Sequence, residues 1–290
     1  MWNNNMWLKN IINNYRIAKR KERQWQAFLR TTSMELKDNL NNYPRPTKSL
    51  LRILGNGNSL ASMLEHEVKA DCDYMVMNSH ILHPSYFELK PRFYVLADPC
   101  FFMAIPNRVD LRYVVDKILA ETTWKMTLIV PWEWTRNVEI ASTEYVEVLR
   151  VNEAVYPTKD EHQQWVYDHN LAMPEVNNVL ALALYSAIFL EYSEIELYGV
   201  EHSWTRDLYV SHDNGTCLVD THFYNQDTKD ESNLNYFEKA GGGRMKFHEV
   251  LQLYASYFPA YWELREIADR KGVHILNCCP NSFIDAFDKK

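Results

Sequence analysis

The residues best suited to chemistry fall where apolar runs stop. Leu51-Arg52-Ile53-Leu54 runs into Gly55-Asn56-Gly57-Asn58-Ser59, and a helical stretch follows. Glycines let a backbone turn tightly and approach a ligand closely, while a new helix offers free N–H groups and the positive end of its dipole. Ser59 or Asn58 can cap that helix. The spelling is neither GxGxxG nor a Walker P-loop, so by itself the turn fits a phosphate or an ordinary strand-helix connection. Met77-Asn78-Ser79-His80 and Ala97-Asp98-Pro99 end the next two apolar runs. Asn177-Asn178 opens an almost wholly apolar stretch, Glu201-His202 follows Tyr198-Gly199-Val200, and Cys279-Pro280-Asn281-Ser282 closes the last run. Singly, each is a turn or a cap. Together, they are polar groups at the ends of five or six strands. Asp71-Cys72-Asp73 has the spelling that holds a divalent ion on a diphosphate, but it precedes a strand, at the opposite edge, and reads as a solvated turn.

Those ends must be positioned by short apolar strands alternating with helices. Strands are expected at 50–54, 74–77, 93–97, 126–130, 195–199 and 273–277, and helices at 59–68, 110–120, 177–192 and 247–271. Such alternation predicts an α/β fold, a Rossmann-like α/β/α sandwich with a mainly parallel sheet, whose ligands bind at the carboxyl ends of the strands. Residues 204–246 break the rhythm. They are polar and aromatic, contain Gly241-Gly242-Gly243, and read as an inserted lid. Upstream, Trp7, Ile11 and Tyr15 recur at four-residue steps, with Trp25, Phe28 and Leu29 further on, which predicts an amphipathic N-terminal helix over about residues 1–30. Asn41-Asn42-Tyr43-Pro44-Arg45-Pro46 then reads as a linker, giving a head of residues 1–46 and a body of 47–290.

Among 290 residues, 47% are hydrophobic and 24% charged, the balance of a globular protein with a sizeable core. Charge is divided unevenly: residues 1–50 hold ten Lys/Arg against three acids, so a net of −7 overall leaves −14 on the remaining 240. An acidic body argues against nucleic acid as partner. The basic, tryptophan-bearing head fits an anionic membrane surface, or packing on the body or on a second subunit of a homo-oligomer. Five cysteines without metal spacing, and no recognisable secretory leader, lead to the expectation of reduced thiols and a cytoplasmic location. No window approaches eighteen uninterrupted apolar residues, so no span is expected.

In order and spacing these segments resemble bacterial sialyltransferases of glycosyltransferase family 42, with the related motility-associated-factor glycosyltransferases and pterin diphosphokinase-like proteins. The family's strand followed by Gly-Asn-Gly-Pro-Ser-Leu is similar to residues 53–60, with Asn58 in place of Pro. Its next strand ends in Asn, as at Asn78. Its Tyr-Asn-Pro is similar to Ala97-Asp98-Pro99, its Ile-Tyr-Leu-x-Gly-Ile-Asp to the run ending at Glu201, and its Cys-Pro-Asn-Ser to Cys279–Ser282. Asp98 departs from the family's Asn, and the Thr-Ser-Gly before the buried helix is missing. The resemblance covers about residues 50–288. It implies inverting transfer of a nonulosonic sugar from a CMP donor to a glycan or lipid-linked glycan acceptor, with no metal and no cofactor. By position, Asn56, Gly57 and Ser59 would meet the donor phosphate or ribose, and Asn78 and Asp98 the nucleoside. Asn177 and Asn178 would lie beside the donor and Ser282 near the cytosine pocket, with Glu201, His202 and Asn281 also among the donor-binding residues. The family takes its base from the lid. Here His222 is the first candidate, with Tyr224 as donor to the departing phosphate, followed by His248 and by Glu201-His202. A pyrophosphotransferase of the pterin kinase type and a non-catalytic nucleotide- or glycan-binding scaffold are the alternatives.

Overall fold

The computed structural model describes residues 4–66, 71–106, 108–160, 162–174, 178–219, 234–239 and 242–290, except the side chains of 4–12, 66, 219 and 234. An N-terminal helix, α1 (Asn4–Thr31), precedes β1 (Leu50–Leu54), α2 (Leu60–His66), β2 (Asp73–Met77), α3 (Ser85–Leu89) and β3 (Phe93–Val95). Then come α4 (Arg112–Glu121), β4 (Met126–Pro131), α5 (Trp132–Thr135), β5 (Val146–Val151), α6 (Gln163–Asp168), α7 (Val179–Phe189) and β6 (Glu194–Tyr198). Three short strands follow, β7 (Leu208–Val210), β8 (Thr216–Val219) and β9 (Leu234–Tyr236), before α8 (Phe247–Lys271), β10 (His274–Asn277) and β11 (Asp288–Lys289).

Eight strands form one parallel sheet in the order β11-β10-β6-β1-β2-β3-β4-β5. From β1 the chain winds outward through β5, then returns to lay β6 on the other side of β1, so strand order reverses between β1 and β6. Successive side chains of a strand point to opposite faces. Leu51, Ile53, Met75, Met77, Phe93 and Val95 accordingly join one core, and Leu54, Tyr74, Val76, Tyr94 and Leu96 the other. Helices α7 and α8 cover the first face and α4 the second. The sandwich expected from the alternation is therefore present.

Two helices show how sequence sets their positions. In α7 all residues from Leu180 to Phe189 are buried, as an apolar helix without a polar face requires, and Asn178 caps it by accepting from Ala181 N at 3.3 Å. Helix α8 ends on Gly272 in the left-handed region (φ 70°), as a C-terminal glycine allows.

The segment read as a lid contains the separate antiparallel sheet β7-β8-β9. Trp204 stacks on Tyr254 of α8, with ring centroids 5.1 Å apart, and holds its beginning to the body. Strand β5 and helices α3, α5 and α6 were not expected. At the N-terminus, residues 13–23 are exposed, while Phe28 and Leu40 belong to the same core as α7. Phe28 meets Tyr156 edge-on at 5.4 Å, and Tyr43 in the expected linker hydrogen-bonds Thr127 with its hydroxyl at 2.5 Å. Among the described residues no helix is long and apolar enough to cross a membrane.

Candidate functional site

A cavity of about 630 Å³ opens over the carboxyl ends of the strands, beside the reversal between β1 and β6. Its lining draws on the segments after β1 through β6 and on the first residues of α7. This is where open α/β sheets hold ligands, and the volume suits a small organic molecule. Of the residues singled out in the sequence, Asn56, Gly57, Asn78, Asp98, Asn178, Glu201 and His202 all line it.

Closest to the reversal, the loops after β1 and β6 cross in contact. Gly55 N donates to Tyr198 O and Gly57 N to Gly199 O, both at 2.8 Å. A Cβ on Gly55 would lie 2.2 Å from Gly199 O, and one on Gly57 1.5 Å from Glu201 Oε2. The glycines are thus needed for the crossing itself. Ser59 N donates to Glu201 Oε1 at 2.7 Å, so a carboxylate of the chain occupies the position expected for a ligand phosphate. The Cys279–Ser282 turn braces the same crossing from below. Ser282 Oγ donates to Val200 O at 2.9 Å, Phe283 N to Glu201 O at 2.7 Å and Val200 N to Cys279 Sγ at 3.1 Å. Burial pushes the Cys279 thiol up to about 11, which keeps it protonated. Ser59, Asn281 and Ser282 are not in the lining: Ser282 is buried beneath it, and Asn281 is exposed on the turn.

The asparagines occupy the cavity's walls. Asn56, 9% exposed, donates its Nδ2 to Met77 O at 3.3 Å and leaves Oδ1 without a partner among the described residues. Asn78 adopts a left-handed backbone (φ 53°), which asparagine tolerates better than most residues. Opposite, Asn178 Oδ1 accepts from Ala181 N and from the Tyr261 hydroxyl at 3.0 Å, while its buried Nδ2 has no partner among the described residues. A buried amide group without a hydrogen bond costs about 1–3 kcal/mol, so both point to a polar ligand.

Tyr261 also meets His202 Nδ1 at 3.0 Å. Because its one proton goes to Asn178, the His202 proton resides on Nδ1, and Nε2 is left as an acceptor. Burial drives His202 down to about 3, so it stays neutral. Asp98 is engaged at both oxygens, by Cys100 N at 2.8 Å and by Arg108 Nη2 at 2.6 Å. His248 is exposed at the start of α8 and does not line the cavity. His222, Tyr224 and Asn177 lie outside the described residues.

Sequence reasoning passed over two lining residues. Glu133 follows β4 and Glu153 follows β5, and Glu153 N donates to Glu133 Oε2 at 3.0 Å. Burial, with the charge of Glu133 beside it, pushes Glu153 up to about 8; the Trp134 side chain, as hydrogen-bond donor, works in the opposite direction. Glu133 is also raised by burial, against the amides of Glu153, Glu133 and Ala154. The rule that found Asn78 applies equally to Pro131-Trp132-Glu133-Trp134. Glu153 was hidden because β5 was not expected. Counting Asp98, Glu201 and Asp207, five carboxylates line the cavity and no Lys or Arg does among the described residues. Asp73, from the Asp71-Cys72-Asp73 spelling, begins β2 at the opposite edge and accepts from Arg92 and Tyr192 at 3.0 and 2.6 Å. No group of three or more potential metal ligands occurs among the described residues.

No family model and no curated protein matches the chain. Among solved structures, the chain is similar in fold to the sialyltransferase CST-II in complex with trisaccharide acceptor and CMP, at 13% identity over 83% of this chain and 85% of that one, with a TM-score of 0.43. It is also similar to the monofunctional alpha-2,3-sialyltransferase Cst-I from Campylobacter jejuni, at 12% identity over 85% and 82%, with a TM-score of 0.42.

Proposed function

We propose that the chain is an inverting, metal-independent glycosyltransferase that passes a nonulosonic sugar from a CMP donor to a hydroxyl of a surface-glycan acceptor. The observation that carries this reading is a pair of asparagine side chains lining one cavity over the strand ends, whose Asn56 Oδ1 and Asn178 Nδ2 have no partner among the described residues. An acceptor on one wall and a donor on the other suit a ligand bearing both kinds of group, as a nucleotide-sugar does. The donor's phosphate belongs at the start of α7. Val179 and Leu180 line the cavity there, and the free Nδ2 of Asn178 adds to the positive end of an eleven-residue helix. Supporting this further is the resemblance in order and spacing from residue 50 to 288. The sequence offers His222 or His248 as base and Tyr224 on the leaving phosphate; His248 does not line the cavity, so the reading itself leaves the base open.

A thermal-shift panel of CMP, CDP, UDP, GDP and ATP, each with and without EDTA, tests the reading. A ligand that binds only the folded state raises the melting temperature by mass action. Stabilisation by CMP that survives EDTA is the expected result. Stabilisation by UDP or GDP but not CMP removes the donor assignment, and an ATP effect abolished by EDTA turns the reading towards pyrophosphotransfer.

The exposed basic stretch Lys19-Arg20-Lys21 with Arg23 supports a place at the cytoplasmic face of a membrane carrying lipid-linked acceptors. Replacing Lys19, Arg20 and Arg23 by Gln leaves the buried Phe28 intact and is expected to abolish co-sedimentation with phosphatidylserine vesicles. Unchanged co-sedimentation removes the membrane role.

A further inference from the structure

Transfer to a hydroxyl needs a group that can take its proton, and the described residues lining the cavity offer two kinds. His202 presents a free Nε2, but it is so weak a base that it does not hold a proton near neutrality. The other kind is the carboxylates: Asp98 and Glu201 are engaged within the chain and Asp207 lies at the β6 side, whereas a pair stands after β4 and β5. Glu133 and Glu153 are drawn together by a backbone bond, Glu153 N to Glu133 Oε2 at 3.0 Å, and both face the cavity. Beside them Trp134 lines the cavity while 40% exposed, and Val155, also in the lining, is 44% exposed. An exposed indole next to a carboxylate is a surface on which a sugar ring can lie. Asn56, more than nine-tenths buried, lines the same cavity and has an Oδ1 without a partner among the described residues, an independent sign of a polar ligand.

Resting on the transferase reading above, we propose that the acceptor sugar enters over the β4–β5 end against Trp134, and that Glu153 is the catalytic base. The acceptor oxygen forms the new bond to the anomeric carbon as its proton passes to the Glu153 carboxylate. The bond from that carbon to the donor phosphate breaks, and the electron pair leaves on the nucleoside monophosphate. Glu133 positions Glu153 and, as a neighbouring negative charge, makes it a stronger base. The charged groups acting on the pair are Asp98 from the segment after β3, Glu133 on α5, and Arg136, which bears on Glu133. A base is most effective when its pKa lies near the working pH, and the value of about 8 for Glu153 meets that condition better than the value of about 3 for His202.

The test is hydrolysis of CMP-N-acetylneuraminate, water taking the acceptor's place, followed by CMP release between pH 6 and pH 10. In the parent chain the rate is expected to rise with pH and to level off above about 8. Glu153→Gln is expected to lower the plateau about 100-fold and to flatten the rise, with the CMP thermal shift unchanged. Glu133→Gln removes the like charge and is expected to move the rise to lower pH, an effect that mere structural damage does not produce. His222→Ala and His248→Ala are expected to keep the rise. CMP binding with Glu153→Gln as active as the parent, or a rise lost only in a histidine variant, overturns the base assignment alone. CMP binding with no donor consumed by the parent at any pH overturns it as well. Failure of CMP to bind overturns the transferase reading, and this inference with it.

Discussion

Where β1 and β6 leave the sheet, Gly55 N, Gly57 N and Ser59 N each have a partner within the chain. Where β4 and β5 leave it, Glu133 and Glu153 crowd into one half-buried corner and are pushed away from their ordinary carboxylate range. The first end looks like a ligand loop in the sequence, but its backbone amides close a structural joint and leave the Asn56 side chain to the cavity. The second end carries no recognisable motif, yet it holds a carboxyl group raised to about 8. Satisfied groups make a joint, whereas strained and unsatisfied ones are left where something else completes them.

If the β1–β6 end is a joint, steric change there costs stability most. Gly55→Ala places a Cβ against the Gly199 carbonyl, a backbone atom with no freedom to rotate away, and is expected to cost about 3 kcal/mol in chemical denaturation. A cost near zero breaks the comparison, since the loops would then have room.

At the β4–β5 end the expected signature is pH dependence. Glu153 has an ordinary value of 4.5 and is raised to about 8 in the fold. The folded chain therefore holds a proton that the unfolded chain has lost between those values. Its contribution to stability is complete below about 4.5 and is lost as pH rises through about 8. Glu153→Gln is expected to remove this decline, gaining on the order of a few kcal/mol over the parent at pH 9 and little at pH 4. Equal slopes for parent and variant between pH 5 and pH 9 remove the contrast between the two ends.

A smaller effect is expected between them, at the hydroxyl joining Asn178 to His202. Tyr261→Phe deletes both bonds inside a buried cluster and is expected to cost about 1.5 kcal/mol at any pH from 6 to 9. A pH-dependent cost shows instead that His202 titrates in that range.

Much of the sheet was legible because burial on both faces leaves nearly continuous apolar runs, as in Leu50–Leu54 and Met126–Pro131. Strand β5 was not, since Glu147 and Arg150 interrupt its run at the edge of the sheet. The asparagines of the cavity were legible because each stands within two residues of a strand's end or directly before a helix. The partner of Ser59 N was not, because Glu201 lies 142 residues away and only the reversal of strand order brings it there. Glu133 was open to the same rule as Asn78. What raises Glu153 is contact between two strand ends, and no local spacing encodes that.

Residue 57 is glycine for one of two physical reasons. A turn built for a ligand phosphate needs Gly57 so that the ligand can approach, whatever stands at position 201. A turn built as a joint needs it because Glu201 Oε2 lies 1.5 Å from where a Cβ would be, with Gly199 O at 2.8 Å. Glu201→Ala alone loses the bond to Ser59 N and is expected to cost about 1 kcal/mol, as loss of a helix cap does. Gly57→Ala alone must displace the Glu201 carboxylate and so forfeits the same bond. In the double variant the displaced group is already gone, so the two costs overlap. Denaturation of all four chains is therefore expected to give a coupling of about 1 kcal/mol in favour of the double variant. Strict additivity returns Gly57 to the role the sequence first suggests, a place where a ligand and not Glu201 comes close to the backbone.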